Sequence, residues 1–149
     1  MAEWLPYNPL MAADKPPVAL DLVWEHDLVL AGSCGDNRMV LDSAAVEGAS
    51  PMQALGFALA GCMAMDLIHI LEKGRHDFRG LRVELNGARA DDHPRRYTQV
   101  ALHFTVSGPV PEGAVQRGIE LSRDKYCSVW QSMRQDTELT VTFSISPGT

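Results

Sequence analysis

The chain has 149 residues, of which 46% are hydrophobic and 21% charged, and a formal net charge of −6. That is the length of one ordinary domain, 1–149, and the composition of a soluble globular chain rather than a disordered one. An acidic domain with few lysines lacks the basic face that phosphate neutralisation needs, so nucleic acid is not an expected partner.

Residues 1–17 hold four prolines, with Trp4, Leu5 and Tyr7 among them. Proline fixes φ and donates no ladder hydrogen bond, so this stretch reads as an irregular arm. It has no basic segment followed by an apolar one, so no signal peptide is expected. No unbroken apolar run reaches the roughly 18 residues of a membrane span. The expected compartment is therefore cytoplasmic, away from membranes, where thiols are kept reduced.

Val18, Leu20, Leu22 and Trp24 alternate with other residues, which is the period of a strand. Leu28 and Leu30 continue a second strand. Gly32 to Asn37 is turn chemistry, and Arg38 to Leu41 reads as a third strand. From Ser50 to about Gly74 the spacing predicts a long helix. Ser50 serves as N-cap, Pro51 as the first helical residue, Gln53 as the reciprocal capping partner and Gly74 as the stop. Its first half is apolar all the way round, which predicts burial on most sides. One sheet of so small a domain covers one side of this helix, and a second copy of the chain is the simplest cover for the other.

Leu81, Val83 and Leu85 alternate, with Asn86-Gly87 as a hairpin turn or a bulge. Val100, Leu102, Phe104 and Val106 alternate again. Pro111 opens a helix whose inner face is Val115, Ile119, Ser122 and Tyr126. Cys127 starts a short further helix. Leu139, Val141, Phe143 and Ile145 alternate with polar residues in a last strand. Clean alternation implies antiparallel sheets with one covered face, and the element order is α+β.

The three cysteines, Cys34, Cys62 and Cys127, form no CxxC, and no Cys/His grouping has zinc spacing. No metal is expected. Cys62 lies about three turns into the apolar helix, where a free thiol packs as a small hydrophobe. Asp66, four residues on, shares its face, and a neighbouring carboxylate disfavours the thiolate. A reactive Cys62 therefore needs a cation from elsewhere. Cys127 is either a half-buried loop cysteine or a thiol stabilised as thiolate by the helix end, with Lys125 adding positive charge. Cys34 reads as a turn residue, and His69 as a surface or interface histidine.

The stretch Ser50-Pro51-Met52-Gln53-Ala54-Leu55, followed by Ala60-Gly61-Cys62-Met63-Ala64-Met65-Asp66, resembles the central helix of the OsmC superfamily, the osmotically inducible protein C proteins. The organic hydroperoxide resistance proteins, Ohr, are part of it. Tyr97 to Val106 is similar to its following strand, and Lys125-Tyr126-Cys127-Ser128-Val129 to its second cysteine segment. The resemblance covers roughly residues 37 to 146 and is nearest the OsmC-like branch with Gly-Cys and a following Asp.

The resemblance implies an OsmC-like fold, with antiparallel sheets wrapped on a long buried central helix in an intertwined homodimer. It also implies a thiol peroxidase for small organic hydroperoxides that needs no cofactor. In that reading Cys62 is the peroxidatic thiol and Cys127 the resolving thiol, and a dithiol reductant restores both. In Ohr an arginine holds the peroxidatic thiolate, and an acidic residue early in the helix orients it. The matching position here is Met52, and its neighbour Gln53 is uncharged. Arg38 is then the candidate cation, and Met52, Gln53 and Asp66 are the candidate substrate-side residues. The competing expectations are a non-catalytic dimer that binds an apolar small molecule at its interface, and a redox sensor that passes a disulfide to a partner protein.

Overall fold

A computed structural model describes residues 17–147, so the arm expected over residues 1–17 lies outside the described residues except for Pro17. The chain separates into two compact units, with the division at Pro51/Met52.

The first unit is an antiparallel meander of β1 (Asp21–His26), β2 (Val29–Cys34) and β3 (Asn37–Asp42). The first strand starts later than the alternation from Val18 suggests. Gly32, Ser33 and Cys34, read as turn chemistry, are in β2 instead. Only Gly35 and Asp36 separate the paired Cys34 and Asn37, and Gly35 takes φ 58 there. A two-residue turn suffices when glycine supplies the positive φ.

After β3 the backbone folds back on one carboxylate. Asp42 accepts hydrogen bonds from the amides of Ala44 at 2.9 Å and of Val46 and Glu47 at 3.0 Å. These three amides hold the Asp42 carboxyl below its usual range. The apolar side chains of the meander are mostly open, with Trp24 at 68% exposure and Val23, Leu28 and Met39 also exposed.

The second unit builds the core around α1 (Pro51–Lys73). Its inner stripe is Gly56, Leu59, Met63, Leu67 and Leu71, at the three-and-four spacing of one helix face. The stripe packs on the sheet of β4 (Gly80–Arg89), β5 (Tyr97–Ser107) and β6 (Glu138–Ser146), in the order β4-β5-β6. Leu102, Phe104 and Val106 are almost completely buried there, each side chain contributing about 1.5–3 kcal/mol by leaving water.

Two expectations need correction in this unit. The sheet is mixed, because β6 pairs with β5 in parallel. Parallel neighbours need a crossover, and the segment between them supplies one: α2 (Glu112–Leu121), a π-helical turn (Ser122–Tyr126) and α3 (Ser128–Ser132). Asn86-Gly87 is not a turn but lies inside β4. The pairing with β5 continues past it, Ala88 opposite Gln99, and Gly87 is there because a Cβ would sit 2.4 Å from the Tyr97 ring. Within a single copy of the chain α1 is buried along its inner stripe, and Phe57 and Met65 are 74% and 71% exposed.

By length and composition alone α1 is apolar enough to cross a membrane, although a polar residue interrupts each long apolar run. Its inner stripe packs on the protein's own sheet, and Asp66 in its second half is hydrogen-bonded to Ser122. Those partners are what a core helix requires.

Candidate functional site

The two helical layers of the second unit bring together residues that are remote in sequence. Cys62 and Asp66 are one turn apart on α1 and so project from the same face. α2 approaches α1 closely because Gly118 has no side chain, and a Cβ there would meet Leu67 at 2.7 Å. The π-helical turn then widens the backbone, and the Cys127 amide donates to the Ser122 carbonyl at 2.8 Å. This sets Cys127 as the N-cap of α3, where its sulfur accepts from the Trp130 amide at 3.3 Å.

The result is a cluster of Cys62 Sγ, Cys127 Sγ and an Asp66 carboxylate oxygen, all within 4.8 Å of one another. No disulfide is formed, and all three cysteines of the chain are free. Cys127 is fully buried and Cys62 half-buried. The Ser122 hydroxyl, itself fully buried, donates to Asp66 Oδ2 at 2.8 Å. Among the described residues no Lys, Arg or His forms an ion pair with Asp66. The polar partner of Asp66 is this hydroxyl and not a cation.

The electrostatics of Cys127 run opposite to the helix-end expectation. Burial, first of all, pushes its thiol up to about 11. The Trp130 amide pulls it down, but the Cys62 thiol and Asp66 carboxylate add to the rise. One amide of a five-residue helix does not offset complete desolvation. Lys125, expected to add positive charge, instead lies over the Tyr126 ring at 5.3 Å.

The remaining candidates occupy other positions. Met52 presents its carbonyl to the Tyr97 hydroxyl, which ties the start of α1 to β5. Gln53 lines a mainly apolar groove of about 300 Å³ with Gly56, Phe57, Ala60, Val83, Leu85 and Tyr97. Arg38 belongs to the first unit, where its guanidinium donates to the Gly35 and Asn37 carbonyls at 2.7 and 2.9 Å. Cys34, also in the first unit, donates to the Ala19 carbonyl at 3.2 Å. His69 is exposed. The residues missed by sequence reasoning are Ser122 and Tyr97. Ser122 carried a signal, being a small hydroxyl residue on the predicted inner face of the helix that Pro111 opens, and a buried polar group requires a partner.

A pair of free thiols held together on an α+β frame defines a dithiol protein of a particular architecture. Residues 43–142 match the family model described as OsmC-like protein. The chain is also 34% identical over 121 residues to Protein YhfA of Escherichia coli (strain K12), covering 80% of this chain and 83% of that one. It belongs to the OsmC-like family. Among solved structures, a hypothetical protein from Aquifex aeolicus VF5 superposes with a TM-score of 0.82 at 23% identity, covering 89% of this chain and 98% of that one. An organic hydroperoxide resistance protein OsmC from Legionella pneumophila gives a TM-score of 0.66 at 12% identity, with 87% of this chain and 97% of that one covered. Both likenesses concern the fold.

Proposed function

We propose that the protein is a thiol-dependent peroxidase for small organic hydroperoxides, with a role in oxidative stress defence. One observation carries this reading: Cys62 and Cys127, far apart in sequence, have their sulfurs within 4.8 Å of each other. Family membership supports it, as does the fold shared with the organic hydroperoxide resistance protein of Legionella pneumophila.

In the proposed cycle the Cys62 sulfur attacks the terminal peroxide oxygen. The O–O bond breaks, an S–O bond forms, and the alkoxide leaves as an alcohol after taking a proton. Cys62 is then a sulfenic acid, oxidised by two electrons. Cys127 sulfur attacks Cys62 sulfur, water leaves, and a disulfide remains. A dithiol reductant exchanges with that disulfide, becoming a disulfide itself and returning two thiols. The apolar groove beside α1 suits a hydrocarbon substituent on the peroxide.

The working form in this reading is a homodimer in the cytoplasm, in which a second copy covers the α1 face bearing Phe57 and Met65. No nucleic acid, membrane or cofactor takes part. Arg38 is the proposed activating cation, with Met52, Gln53 and Asp66 on the substrate side.

The test is the intact mass and free-thiol count of reduced protein after one equivalent of cumene hydroperoxide. The expected result is loss of two hydrogens and two thiols, mapped to Cys62 and Cys127. Cys62→Ser abolishes turnover, whereas Cys127→Ser accumulates the sulfenic acid. Equal turnover in wild type and Cys62→Ser sinks the proposal. An unchanged mass with every thiol free favours instead an apolar-ligand dimer, a reading supported by the same groove.

A further inference from the structure

We propose that Cys62, Asp66 and Cys127 form a binding site for a thiophilic divalent metal ion, zinc or cadmium in class, while the two thiols are reduced. The three ligand atoms lie within 4.8 Å of one another. Small side-chain rotations bring such a set to a common centre with bonds of about 2.3 Å to sulfur and 2.0–2.2 Å to oxygen. Two sulfurs and one carboxylate oxygen are a donor set that these ions take, with the fourth tetrahedral position left to water.

The surroundings fit a held ligand set. Ser122 donates to one oxygen of Asp66 at 2.8 Å and leaves the other oxygen available. The Trp130 amide donates to Cys127 Sγ at 3.3 Å, which orients that sulfur and supports negative charge on it. Outer partners of this kind fix the direction of metal ligands. No ion pair reaches Asp66 among the described residues. A divalent cation supplies the positive charge that three converging acidic groups otherwise lack. Cys62, only half-buried, gives the side from which an ion enters. A search for zinc spacing passes over this set, because two ligands sit one helical turn apart and the third comes from the distant cap of α3.

The ion displaces one proton from each thiol to solvent, so two thiolates, one carboxylate and a dication leave a site with one negative charge. A disulfide between the same sulfurs removes both thiolates and cannot bind the ion. The metal therefore protects the dithiol, and oxidation by hydroperoxide releases the metal. This last consequence rests on the peroxidase reading, whereas the binding itself does not.

The test uses the full-length, reduced, chelator-treated protein without peroxide. Cobalt(II) serves as the optical probe and zinc as its competitor. The expected result is one equivalent of cobalt giving a sulfur-to-metal charge-transfer band that zinc abolishes. Cys62→Ser and Cys127→Ser each lose the band, and Cys34→Ser keeps it. Ser122→Ala weakens zinc binding about 10–100-fold. No band in wild type, or a band that persists in Cys62→Ser, overturns the proposal. A second measurement needs no variant: zinc slows alkylation of Cys62 and Cys127 and leaves Cys34 unchanged. Equal effects on all three thiols, or none, overturn it as well. Absent peroxide turnover with the cobalt band present defeats only the peroxidase reading, and turnover without the band defeats only this one.

Discussion

The two units of the chain solve the burial problem differently. The second unit covers much of its own apolar surface: the α1 stripe, the inner sheet face and α2 close on Phe104, Leu67 and Val106, while Phe57 and Met65 stand open. Among the described residues the first unit has three strands and no covering layer of its own, and Trp24, Val23, Leu28 and Met39 stand open. Its buried residues among those described are Val29 and Asp42. A sheet is stabilised by what lies on its face, and three strands without a cover have little to gain from their apolar residues. Cys62 and Cys127, the proposed redox pair, sit in the more self-sufficient unit. There, close packing fixes the positions of side chains to a fraction of an ångström.

The largest expected effect tests that self-sufficiency. Phe104→Ala should cost about 3–5 kcal/mol in urea unfolding, because it leaves a cavity beneath α1. A loss under about 1 kcal/mol would mean the layer collapses to fill it and would weaken the contrast. Next comes Ser122→Ala, which leaves the Asp66 carboxylate without its hydroxyl partner. The expected loss is about 1.5–3 kcal/mol, the range for hydrogen bonds to charged groups. Wild-type stability in that variant would show that water replaces the hydroxyl. Gly87→Ala should cost about 1–3 kcal/mol by pressing on the Tyr97 ring. Thermal unfolding of the variant checks it.

Smaller effects follow from the two shifted groups. Cys127 is raised when folded, so the unfolded chain gives up its thiol proton first as pH rises. Stability should fall between the ordinary thiol value of 9.0 and about 11, and Cys127→Ser should flatten that slope. Asp42 is lowered when folded, so its contribution is complete above the unfolded value and is lost as pH falls through the folded one. Amide exchange at Ala44, Val46 and Glu47 should rise in acid and do so at every pH in Asp42→Ala. The smallest effect is expected at Trp24→Ser, within about 0.5 kcal/mol for an open surface position. A loss above about 2 kcal/mol would show that the ring is covered in solution.

Much of the fold could be read from local patterns. Alternation located β5 and β6, and Pro51 and Gly74 bounded α1 within a residue of its ends. These signals are local because hydrogen-bonded periodicity and capping involve neighbours in sequence. The direction of β6 was not legible, since alternation is the same in parallel and antiparallel strands. The exposure of Phe57 and Met65 was not legible either, because composition around a helix does not say which side receives a sheet.

The candidate site divides along the same line. The sequence by itself determined that Cys62 and Asp66 share a helix face and that Cys127 heads a short helix, since both are consequences of helical geometry. Only the tertiary structure decided that these three groups meet, that Ser122 is the partner of Asp66, and that Cys127 is held as a thiol. Each depends on the crossover returning over α1 and on the burial it creates. Desolvation is a property of everything packed around a group, and no short stretch of sequence contains it.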